Sequence, residues 1–344
     1  MFHNWTSIVG LILLLLVFVD AGHPLWEAST KIKRAVPFDL NSLTTTTWPG
    51  GAVMYCWESE ATRNALVGHF RHATNLWAAA GLPETRFRFV EFPLEECMRD
   101  RRNSLVIHRT PGSLEFSTTV GKYVGPVSEL IPGPLAFFND KREPVDRGRG
   151  SNTIAEKIVH EIGHIFGLFH EHQNPYFWYD PSDFRIYCEN IEGFQQATAH
   201  LTHEQIWGEN GVCVNQLAAL EQGWPTVAHF LPIRELTYLP HGPDNDVDWD
   251  SIMLYHSNVG AIVSDGNDYT LRKGPGAPGI AYRIRVKRSP SQRDVQALIR
   301  LYDASDERTL PRLYHDPRSE YHTAFQNLQN FQVCDWPQGG PSGG

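Results

Sequence analysis

Residues 160–171, His-Glu-Ile-Gly-His-Ile-Phe-Gly-Leu-Phe-His-Glu, hold the chain's most specific chemistry. His160 and His164 are four apart, so on a helix they stack on one face with their imidazoles converging. A single Zn²⁺ at about 2.0–2.1 Å from each nitrogen suits that geometry. Glu161 follows the first histidine directly, which sets its carboxylate beside the metal rather than on it. That is the place for a general base acting on water. Gly167 accepts the left-handed conformation that reverses a chain at a helix end, and the reversal returns His170 as a third ligand. Three protein ligands leave one position open for water, whereas structural zinc sites are usually closed by four. The chemistry these residues could do is metal-assisted hydrolysis.

The elements that must position them can be read from periodicity and punctuation. Thr153-Ile154-Ala155-Glu156 fits a capping box, which predicts a helix running to about Phe166 with Gly167 as its stop. Leu66, Phe70, Ala73, Trp77 and Ala80 fall on one face of a second helix over 61–80, stopped by Gly81 and Pro83. Trp48–Trp57 reads as a Gly-rich turn and a strand. Phe87–Phe92, Ser104–His108 and Leu135–Phe138 read as further strands. Lys141–Gly150 is a polar, Gly- and Pro-bearing loop. Beyond Pro175 the chain is less regular, with a compact turn at Asp250–His256 and a helix over 292–302. The tail after Asp303 is polar, ends in Pro-Gln-Gly-Gly-Pro-Ser-Gly-Gly, and is predicted to be disordered.

The histidine segment resembles the metzincin signature H-E-x-x-H-x-x-G-x-x-H, which is followed by a Met-turn. All five fixed positions are met, a coincidence expected about once in ten thousand chains of ordinary composition. Glu171 after the third histidine resembles the astacin family, as does Ser251-Ile252-Met253-Leu254-Tyr255 downstream. Trp48-Pro49-Gly50-Gly51 looks like the start of an astacin catalytic domain, and Asp294–Tyr302 like its last helix. The resemblance implies an α+β fold: a twisted mixed sheet with two long helices in an upper subdomain, a zinc cleft, and an irregular lower subdomain. It implies that His160, His164 and His170 bind one zinc and that Met253 forms an apolar floor beneath it. Glu161 is implied as the base. Tyr255 is implied as a resting fifth ligand that later hydrogen-bonds the oxyanion. Pro134–Phe138 is a candidate edge strand for an extended peptide, with a core strand as the equal alternative. The resemblance also implies a mature N-terminal ammonium buried near Glu171. The chain departs from the family pattern at Arg86–Val90, where many astacins carry a cysteine, and in a leader segment without an Asp to block the zinc.

Composition sets the setting. The chain has 344 residues and net charge -9, which argues against nucleic acid as the main partner. Ile8–Val19 is a run of apolar residues too short to span a bilayer comfortably, and suits a signal peptide over 1–21. A short pro-segment over 22–34 ends Lys31-Ile32-Lys33-Arg34, which looks like a processing site giving a mature start at Ala35. The catalytic domain then covers 35–303 and the tail 304–344. No later segment reads as transmembrane. The reading is therefore of a secreted protein acting on protein or peptide substrates, with oligomeric state open. Of the five cysteines, Cys56 with Cys97 and Cys188 with Cys213 are the favoured pairs, leaving Cys334 over. His69 and His72 read as surface residues, and His172 as a packing neighbour of the motif. The alternative function is a zinc-containing secreted binding or adhesion protein without turnover. Loss of Glu161 would mark it, and Glu161 is present.

Overall fold

The computed structural model describes residues 45–110, 116–125, 132–140, 153–179, 181–233, 246–262, 269–275, 277 and 282–309. The signal, pro-segment, Ala35, the 141–150 loop and Cys334 lie outside them. The chain divides into units at 1–302 and 303–344. Of the second, 303–309 complete the last helix, so the tail expected to be disordered from 304 begins as helix.

Strands are β1 (Thr45–Thr46), β2 (Ala52–Trp57), β3 (Arg88–Glu91), β4 (Leu105–Arg109), β5 (Ser117–Thr118), β6 (Lys122–Tyr123), β7 (Leu135–Phe138), β8 (Phe184–Ile186) and β9 (Leu271–Lys273). The longer helices are α1 (Glu60–Ala79), α3 (Ile154–Phe166) and α8 (Gln292–Thr309). Shorter ones are α2 (Leu94–Arg99), α4 (Phe194–Thr198), α5 (His203–Trp207), α6 (Gln216–Glu221) and α7 (Pro225–Ala228). Five strands form one mixed sheet in the order β3-β2-β4-β7-β5, parallel except for the antiparallel pair β5–β7. The class is α+β, as the sequence implied.

Ser59 opens α1 by accepting a hydrogen bond from the Thr62 amide at 3.2 Å, and Leu66, Phe70, Ala73 and Trp77 form its buried stripe. Trp77 ties α1 to α3 by donating its indole N–H to the Val159 carbonyl at 2.9 Å. Trp48, fully buried, does the same to Ile165 at 2.8 Å, so the turn before β2 clamps the far end of α3. These contacts belong to a core formed by the sheet, α1, α3 and α8. A second core holds Phe177, Phe184, Trp224, Phe230 and Leu254 among short elements between residues 177 and 284. The turn at 251–255 joins the two: Met253 belongs to the first, and Leu254 and Tyr255 to the second.

One open choice is settled and one expectation is corrected. Leu135–Phe138 is an interior strand with β4 on one side and β5 on the other. The short Ser117–Thr118 pairs with it and takes the edge position. Cys188 and Cys213 are joined as expected, but Cys56 and Cys97 are not. Both are buried thiols in a small apolar cluster with Val106. Burial and the neighbouring Cys97 thiol push Cys56 far above the usual cysteine range, so the Cys56 thiol stays protonated.

Candidate metal centre

Helix α3 begins with the expected capping box. The Glu156 amide donates to Thr153 Oγ1 at 3.2 Å, and the Thr153 amide donates to Glu156 Oε2 at 2.7 Å. It ends at Gly167, whose φ of 114° and ψ of 18° are left-handed. The Leu168 amide then bonds back to the Gly163 carbonyl at 2.9 Å, closing the turn that brings His170 round.

Each imidazole is held by its Nδ1. His160 meets the Ile252 carbonyl at 2.8 Å, His164 the Leu168 carbonyl at 2.6 Å, and His170 the Gln173 amide oxygen at 2.8 Å. All three partners are acceptors, so the three Nδ1 atoms carry the protons and the three Nε2 atoms present lone pairs. The Nε2 of His170 lies 3.2 Å from that of His164 and 3.1 Å from that of His160. Three acceptors facing one another repel unless a cation lies between them. Nitrogens at about 2.05 Å on a tetrahedral zinc sit about 3.3 Å apart, close to the spacing found. Burial holds all three rings below the usual histidine range, His160 to about 4, so they are neutral imidazoles at neutral pH. Among the described residues this is the group of three that could hold a metal ion. His164 and His170 are buried and His160 only partly so, which opens the centre on the His160 side.

Tyr255 and Met253 lie beside the triad and its helix. Glu161 is buried on α3 beside His160. The Tyr255 ring packs 4.4 Å from that of His170, 4.7 Å from His172 and 6.1 Å from His160. Met253 is fully buried beneath α3. Its closeness explains Gly163: a Cβ there would lie 2.4 Å from Met253 Sδ and 3.4 Å from Trp77. Gly to Ala in an open helix gains about 1 kcal/mol, but here overpacking reverses the sign. Gly163→Ala is expected to cost about 1–3 kcal/mol in urea unfolding. Combined with Met253→Ala it should cost less than the sum of the two single changes; full additivity would mean the two do not touch.

Sequence reasoning missed what holds the centre from behind. Asp294 accepts from Ser251 Oγ at 2.7 Å, the Ile252 amide at 2.9 Å and the Ser291 amide at 2.8 Å. It thus pins the turn whose Ile252 carbonyl orients His160. Gln173 orients His170. His172 matches its expected packing role: it stacks 5.4 Å from His170 and donates Nε2–H to the His229 carbonyl at 2.8 Å. Glu171 Oε1 accepts from the Asp248 amide at 2.8 Å, and its Oε2 has no hydrogen-bond partner among the described residues. Burial pushes Glu171 up to about 8. His69 and His72 sit on α1, outside the triad.

The structure is similar to that of high choriolytic enzyme 1, a hatching enzyme zinc-protease from the medaka fish Oryzias latipes. The TM-score is 0.42 and identity 16%, covering 80% of this chain and 99% of that one. It is also similar to myroilysin, with TM-score 0.37 and 14% identity over 80% of this chain and 93% of that one. No protein-family model and no curated protein matches the sequence.

Proposed function

We propose that the protein is a secreted zinc endopeptidase of the astacin type. The observation that carries this is the convergence of three lone-pair Nε2 atoms, with Glu161 next to the first ligand in sequence. The residues fit the metal: His160, His164 and His170 would hold zinc, which when bound acidifies water and polarises a peptide carbonyl. The chain's own groups do the rest. Glu161 takes the proton from the attacking water and delivers it to the leaving amine nitrogen. Tyr255 donates its phenolic hydrogen to the oxygen that becomes negative. Ile252, Leu168 and Gln173 hold the rings in one tautomer. Glu171, buried with one oxygen lacking a hydrogen-bond partner among the described residues, is the group that a mature amino terminus at Ala35 would neutralise.

The test is metal analysis of the secreted chain together with profiling on a peptide library. One zinc per chain is expected, with cleavage lost on chelation and restored by added zinc. Zinc without cleavage of any peptide would favour the binding or adhesion reading. Undiminished cleavage by metal-free protein would sink the proposal.

A further inference from the structure

The chain is acidic overall, with net charge -9, yet residues 271–288 carry six basic side chains, Arg272, Lys273, Arg283, Arg285, Lys287 and Arg288, and no acid. The antiparallel pair β8–β9 adds Arg185, directly opposite Arg272 in the register. Like charges so placed destabilise a ladder. Aromatic rings hold them instead. The Tyr187 ring lies 5.1 Å from the Arg185 guanidinium carbon and 4.8 Å from that of Arg272, and Tyr269 lies 4.2 Å from the latter. The Lys273 amide donates to the Tyr282 carbonyl at 2.9 Å, which sets the start of the 282–288 segment beside the end of β9. Lys287 and Arg288 are satisfied, by Asp250 at 3.8 Å and Glu156 at 2.7 Å. Arg185, Arg272 and Arg285 have no carboxylate within 4.0 Å among the described residues, whereas Lys273 alternates to the other face of β9, with its Nζ 4.2 Å from the Trp249 ring. Arg272 Nε is buried without a hydrogen-bond acceptor.

We propose that β8, β9 and the 282–288 segment form a docking surface for a linear sulfated polysaccharide. Unpaired guanidinium groups held over aromatic rings are preorganised to bind oxyanions through two parallel hydrogen bonds. The run Arg283-Ile284-Arg285-Val286-Lys287-Arg288 is a basic hexamer of the kind that binds heparin or nucleic acid. The Cys188–Cys213 disulfide places the protein in an oxidising compartment, where an acidic glycan is the available polyanion. Tyr282, 64% exposed, adds a flat apolar face next to the cations, which suits a sugar ring. None of these cations is among the residues assigned to hydrolysis, and the surface would tether the protein rather than take part in the reaction.

The test uses the full secreted chain on immobilised heparin at 0.15 M salt. Wild type is expected to be retained. R185E/R272E/R285E is expected to bind a heparin oligosaccharide at least tenfold more weakly and to lower the slope of log affinity against log salt by about 2–3. The pair R185E/R285E, both exposed, should show a smaller loss in the same direction if the triple variant does not fold. Reversing Arg71 and Arg88, exposed cations on α1 and β3, should leave retention intact. Flow-through of the wild type would overturn the proposal, as would an equal loss in the Arg71/Arg88 variant. Single-stranded DNA or polyglutamate competing as well as heparin at equal charge would also overturn it, by reducing the surface to an ion exchanger.

Discussion

Glu161→Gln is expected to lower kcat/KM for peptide cleavage by about 10³-fold or more while leaving zinc content at the wild-type level. The two readouts separate because Glu161 is not one of the three converging ligands. Glutamine has the same shape, so the packing of α3 around this buried side chain survives the change. What is lost is the basic oxygen. An amide cannot take a proton from water at neutral pH, and it cannot hand one to the leaving nitrogen. Loss of kcat with little change in KM would show an interaction made only on the way to the transition state. Melting temperature and bound zinc, measured on the same sample, control for misfolding. Cleavage at the wild-type rate would remove Glu161 from its role and reopen the choice of base.

The histidine helix α3 was legible because each of its features is local. A capping box spans four residues, the histidine pair one helical turn, and the reversal depends on one glycine that the structure holds at positive φ. The helices over 60–79 and from 292 onward followed from periodicity for the same reason, although the latter continues to Thr309. Strand order was not legible. An apolar run such as Leu135-Ala136-Phe137-Phe138 has the same pattern in the interior of a sheet as at its edge, and only the partner strands decide. The cysteines show a similar limit. Cys56 and Cys97, expected as a disulfide, lie in one apolar cluster as free thiols, and contact between two buried thiols is not a bond. The supports behind the ligands were hidden for a further reason. Asp294 reaches Ser251 across 43 residues, and no spacing rule links an aspartate in one helix's first turn to the serine of a distant turn. The resemblance named Ser251 through Tyr255 but gave no hint of what fixes them.

Asp294→Ala is therefore the second change with a large expected effect, about 3–5 kcal/mol in unfolding free energy. It strips three donors of their acceptor in a site where Asp294 and Ser251 are fully buried. It should also weaken zinc binding about 10–100-fold, because the Ile252 carbonyl that orients His160 loses its anchor. Asp294→Asn keeps the shape and isolates the charge. Burial pushes the Asp294 carboxyl up to about 6, the charge of Asp248 adding to this and the hydrogen bonds from Ser251, Ser291 and Ile252 opposing it. The folded state then holds the proton more tightly than the unfolded chain, whose carboxyl titrates near 3.9. The stability this confers is full below the unfolded value and is lost as pH rises through about 6. The advantage of wild type over Asp294→Asn should accordingly shrink between pH 4 and pH 6 in urea titrations. An advantage that grew with pH would mean the three hydrogen bonds outweigh burial, and the carboxylate, not the acid, is the form that holds the turn beneath the metal.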